Sequence, residues 1–155
     1  MLNVLQQIAE IDDRYANDQE LTELEQVSQH MVERLRLYQK LSQGEEQILA
    51  ELYKRLSTTH SQLFILNGKD VSAQCRNEVQ YTLHQAIQSL LLGEDWLQES
   101  FLLWMQTIIR SLKLQSVCNV VYSTLETLLQ SALTPQESQI ICPVIQQIKE
   151  SLTQP

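Results

Sequence analysis

Apolar residues recur at spacings of three and four along almost the whole chain, and this periodicity constrains the fold more than any other feature. Such spacing lines one face of a helix, whereas a half-buried strand needs alternation at every second position. No segment alternates for long enough to suggest a sheet. With three glycines and three prolines in 155 residues, hairpin turns are also scarce. The expectation is an all-α fold of eight or so helices.

Leu2, Leu5, Ile8 and Ile11 form a short amphipathic stripe that ends near Asp12 and Asp13. It is too small to be a core helix alone and reads as a docking arm over residues 1–16, ahead of a helical core over 17–155. Asn17 and Glu20 have capping-box spacing and open a helix bearing Leu21, Leu24, Val27, Met31, Leu35 and Tyr38, closing by about Leu41. Ser42 and Glu45 repeat that spacing before Ile48, Leu49, Leu52, Tyr53 and Leu56, which predicts a second helix. From Ser57 to Asp70 the periodicity fails, and an ordered loop is expected to lean over the next helix. Its apolar run, Leu63 to Leu66, fits either simple packing or a ligand cover.

Asp95 and Gln98 are expected to cap a helix bearing Leu97, Phe101, Met105, Ile108 and Leu112. Ser116 should begin another, with Val117, Val120, Val121, Leu125, Leu128 and Leu129. Thr134-Pro135-Gln136-Glu137 combines an N-cap, a proline at the first helical position and a capping glutamate. The helix it opens carries Ile140, Ile141, Val144, Ile148 and Leu152, and Pro143 within it predicts a kink costing about 3 kcal/mol. Helices of this number, with one irregular connection, suit a globin-like arrangement in one domain over residues 1–155.

A net charge of −8 without any Lys/Arg cluster disfavours nucleic acid and anionic membranes as partners. Cys75, Cys118 and Cys142 are odd in number and widely spaced, which argues against a disulfide framework and a zinc site. His30, His60 and His84 lack ligand partners one turn away, no helical histidine suits haem, and no phosphate loop or catalytic triad is visible. Neither a basic leader nor an apolar run of about 18 residues occurs, so a soluble, cytoplasmic protein is expected.

The stretch from Ala73 to Gly93 carries the candidate chemistry. Cys75, Val79, Leu83, Ala86 and Leu90 share one helical face, Gly93 closes the helix, and Glu78 lies one turn after Cys75. A thiol and a carboxylate can thus hold a ligand at two points. A position near the helix start would lower the thiol pKa, although a cysteine on an apolar face is also an ordinary core residue.

The pattern Cys75-x-x-Glu78-x-x-Tyr81-x-Leu83, followed by Leu92-Gly93 and an acidic turn, resembles the chromophore helix of the phycobiliproteins. Residues Ala9 to Leu21 look like that family's N-terminal helix pair, and Gly93-Glu-Asp-Trp-Leu-Gln-Glu-Ser-Phe-Leu-Leu looks like its next helical segment. The resemblance implies a globin-like fold and a bilin, an open-chain tetrapyrrole. By the same resemblance, Cys75 would form the thioether and Glu78 would bond the pyrrole nitrogens. Arg76, Asn77, Tyr81 and Phe101 complete the candidate cofactor-binding set. Asn77 stands where the family usually has a propionate-pairing arginine, and Arg76 sits one position early. His84 replaces an arginine that pairs across the subunit interface, facing Glu10 of the arm, while Phe101, Trp104 and Met105 predict a narrow or filled pocket.

These departures favour a non-catalytic bilin-binding or bilin-handling protein resembling the bilin biosynthesis-associated globins. A light-harvesting phycobilisome subunit with covalent bilin is the second reading, favoured by Cys75 and Glu78. A ligand-free helical dimerisation module is the third. The implied partners are a second copy or a related subunit, engaged through the arm, and bilin-biosynthesis enzymes. The implied location is the cytoplasm, associated with the phycobilisome at the thylakoid surface.

Overall fold

The computed structural model describes residues 14–66 and 68–154, so most of the predicted docking arm, with Glu10, lies outside the described residues. The first helix, α1 (Asp18–Thr59), begins at the predicted capping box, where Asn17 Oδ1 accepts from the Glu20 amide at 3.0 Å and Glu20 Oε2 accepts from the Asn17 amide at 2.8 Å. Arg14 clasps the same carboxylate through both terminal nitrogens, at 2.7 and 2.9 Å, and the Glu20 carboxyl falls to about 2.

The expected break at Leu41–Ser42 does not occur. Ser42 donates its hydroxyl to the Gln39 carbonyl at 3.1 Å and stays within the helix instead of capping a new one. Buried Leu37, Leu41, Leu49, Leu52 and Leu56 keep one face of α1 against the core across this point, so packing overrides the local cap signal. Each fully buried leucine contributes roughly 1.5–3 kcal/mol.

The predicted loop is shorter and more regular than expected. Helix α1 runs to Thr59, a 3-10 turn follows (Ser61–Phe64), and β1 (Ile65–Leu66) pairs antiparallel with β2 (Lys69–Asp70) across Gly68, whose φ of +76° suits the tight turn. This ribbon of two two-residue strands is the sheet of the described residues and leaves the all-α class intact. The ribbon is closed by the Val71 amide donating to Phe64 O at 2.8 Å. Phe64 is buried against Tyr53 of α1, with ring centroids 5.9 Å apart, while Ile65 is exposed.

Helix α2 (Ser72–Leu92) begins beside Asp70, whose carboxylate accepts from the Ser72 amide at 2.8 Å, and ends at Gly93 with φ +96°. Next come α3 (Glu94–Leu97), a π segment (Gln98–Leu102) and α4 (Leu103–Leu112), which continue as one helical rod over 94–112. Asp95 and Gln98 are therefore interior and not caps. The wider π turn shifts the buried register to Leu97, Phe101, Leu102, Met105 and Ile109. Ile108 and Leu112, expected in the core, reach the surface instead.

Lys113, in the left-handed conformation, turns the chain into α5 (Gln115–Ala132), which starts one residue before the predicted Ser116. The final helix, α6 (Pro135–Thr153), has both reciprocal bonds of the predicted capping box. Lys40 of α1 bonds Glu137 at 2.8 Å, and Lys149 of α6 reaches Glu126 of α5 at 3.0 Å. Pro143 lies on the exposed side of α6. Six α-helical segments thus surround the core among the described residues. Helix α5 packs along α6, and α1 along α2, which brings α2, α4 and α5 together at the Cys75 end.

Candidate functional site

Cys75 is the fourth residue of α2, with its amide bonded to Val71 O at 2.9 Å. Its carbonyl accepts the Tyr53 hydroxyl at 3.1 Å, so α1 fixes the first turns of α2 in position. Burial holds the Tyr53 phenol well above its ordinary range. Glu78, one turn on, accepts from Gln74 Nε2 at 3.0 Å, and its backbone carbonyl takes the Thr82 hydroxyl at 2.8 Å.

Cys75 and Glu78 line the same cavity. Val79 and Thr82 extend that wall, Met105 and Ile109 of α4 form a second, and Cys118 and Tyr122 of α5 a third. The cavity measures about 30 Å3, enough for a water-sized molecule, whereas pockets that enclose small ligands span roughly 300–1,000 Å3. The space as it stands is far smaller than a four-ring ligand. Met105, one of the bulky residues predicted to narrow the pocket, lies in the closing wall.

Electrostatics reverse one expectation. The Cys75 thiol is pushed up, first by burial and then by the Glu78 charge, so the helix start does not make it a ready thiolate. Cys118 is pushed up to about 12 by burial, with Glu78 and Cys75 adding to the effect. Both shifts disfavour the thiolate, the nucleophilic form of the sulfur.

The other predicted residues divide into two groups. Tyr81 and Phe101 meet edge-to-face at 5.7 Å and share Trp104, whose ring is 5.7 Å from Phe101 and 6.3 Å from Tyr81. Phe101 is fully buried, while Tyr81 and Trp104 keep one side in solvent. Arg76 and Asn77 point away from the cavity: the Arg76 guanidinium lies 4.8 Å from the Tyr53 ring centroid and Asn77 is exposed. His84, predicted to face the arm, has its Nδ1 3.4 Å from Glu45 of α1. Cys118, Thr82 and Tyr122 were not singled out from the sequence, because their only local signal is a helical apolar face shared with many core residues.

Among the described residues, no group of three His, Cys, Asp or Glu could hold a metal ion, and no helix is long and apolar enough to cross a membrane. An all-α, globin-like chain with a cysteine and a carboxylate one turn apart on one cavity wall is of the phycobiliprotein type. The chain belongs to the phycobilisome protein family, since the family model described as Phycobilisome protein matches residues 5–152. No curated protein matches it. Phycobilisome proteins typically bind bilins, are generally non-catalytic and assemble with related subunits.

Proposed function

We propose that this protein binds an open-chain tetrapyrrole reversibly at the Cys75–Glu78 wall and passes it on, acting in bilin synthesis or delivery and not as a permanently pigmented light-harvesting subunit. The observation that carries this reading is the cavity itself. A thiol and a carboxylate on one wall support contact with a bilin, while the small space of about 30 Å3 and the thiol raised by burial support transient and not covalent binding. Glu78 would accept hydrogen bonds from pyrrole N–H groups, and Cys75 would lie beside the ligand without adding to it at an appreciable rate. The role is non-catalytic. A second copy or a related subunit is the natural partner, engaged through residues 1–16, with bilin-producing enzymes as donors in the cytoplasm, in association with the phycobilisome at the thylakoid surface.

Purification after co-expression with bilin-producing enzymes tests this. The expected product is coloured, and its pigment leaves the chain on denaturation and solvent extraction. A denatured band that fluoresces with zinc and disappears in Cys75→Ser would instead establish covalent attachment and favour the light-harvesting reading. A colourless product that also fails to bind added bilin would leave a ligand-free helical module.

A further inference from the structure

Helix α4 is apolar on two sides. Met105 and Ile109 face the core, and the π segment before them turns Trp104, Ile108 and Leu112 outward at spacings of four. With Leu103 beside them and Tyr81 adjoining Trp104 from α2, these side chains remain between 37% and 56% exposed. A helix that is hydrophobic all round is normally buried, so one face of α4 lacks a partner among the described residues.

The polar groups on that face do not call for a polar occupant. From Trp104 to Leu112 it runs through Thr107, Ile108 and Ser111 without a charged side chain, in a chain of net charge −8. The Thr107 and Ser111 hydroxyls donate to the Leu103 and Thr107 carbonyls, at 3.3 and 2.7 Å, and the Trp104 indole donates to Ser100 O at 3.1 Å. With these protons committed within the helix, the face offers a partner mainly hydrocarbon. Charges flank it at its two ends, and they differ in sign. Glu99 stands at the start and Arg110 and Lys113 at the close, all exposed and none in an ion pair among the described residues.

That order complements itself when reversed. We propose that the outer face of α4 is a dimer interface with a second copy of this chain, the two α4 helices lying antiparallel about a two-fold axis level with Gln106. In that register Trp104 meets Ile108 of the second copy, Leu112 meets Ser100, and Glu99 approaches Arg110 and Lys113, each contact occurring twice by symmetry. Two chains of charge −8 repel each other over most of their surfaces, and the uncharged face is where they can approach. The interface uses neither the Cys75 cavity nor residues 1–16 and does not depend on pigment.

Sedimentation equilibrium of the full chain without pigment tests this. A dimer is expected at micromolar concentration. Ile108→Glu/Leu112→Glu, at two exposed positions, should weaken it about tenfold or more while far-UV circular dichroism and melting temperature stay at native values. Glu99→Lys should also weaken it, and adding Arg110→Glu and Lys113→Glu should restore it, because reversed helices bring those ends together. A monomeric native chain, a folded Ile108→Glu/Leu112→Glu variant that dimerises as tightly as the native chain, or no recovery in the charge-exchanged variant would overturn the proposal. Dimerisation abolished by Leu5→Glu/Ile8→Glu but indifferent to the α4 variants would assign association to residues 1–16 and overturn it as well.

Discussion

The Glu78 charge acts on the Cys75 thiol. Burial raises the thiol first and the neighbouring carboxylate raises it further, so Glu78→Gln should lower the Cys75 pKa without restoring the value of an exposed thiol. The pH dependence of thiol alkylation measures this directly, and an unchanged profile would show that the carboxylate does not influence the sulfur. Phe101 acts through packing. Fully buried against Tyr81 and Trp104, it should cost about 3–5 kcal/mol of unfolding free energy as Phe101→Ala, measured by denaturant melting. Tyr81→Ala should cost less, because half of that ring already faces water. The Cys75–Glu78 pair could be found from the sequence because both residues lie within one helical turn. Cys118 and Tyr122 could not, because they reach the cavity from a helix distant in the chain.

Capping boxes are written in contiguous residues, and both Asn17–Glu20 and Thr134–Glu137 fold as their spacing predicts. Ser42–Glu45 has the same spacing and caps nothing, because the leucine face of α1 continues through it. A local signal thus loses to burial wherever the apolar stripe is unbroken. The π segment was not readable for a related reason: its extra residue per turn registers only as a shift in which side chains meet the core. Gly44 lies inside α1 with open space where a methyl group would sit, so Gly44→Ala should stabilise by about 0.5–1 kcal/mol, seen as a higher melting temperature. At the start of α6, Thr134→Ala should lose about 1 kcal/mol in denaturant melting. Lys40 first, and then the Thr134 amide, hold the Glu137 carboxyl below its ordinary 4.5. A lowered folded pKa gives stability that is present above about 4.5 and lost as pH falls through the folded value. Lys40→Gln should flatten that acid limb in pH-dependent melting.

At the scale of the molecule, helical periodicity conveyed the all-α class, and the match over residues 5–152 accounts for nearly the whole chain. The narrowness of the site was anticipated from Phe101, Trp104 and Met105, but of these only Met105 lines it, and the walls that α4 and α5 supply were not legible because no short motif records how those helices meet α2. The resulting protein has a thiol and a carboxylate on one wall of a cavity of about 30 Å3. The most direct measurement is a visible difference spectrum on adding biliverdin to the native chain and to Glu78→Gln. A reversible pigment band that Glu78→Gln weakens or shifts is the predicted result. No spectral change in the folded native chain, or a band indifferent to residue 78, would contradict the assignment of bilin to the Cys75–Glu78 wall.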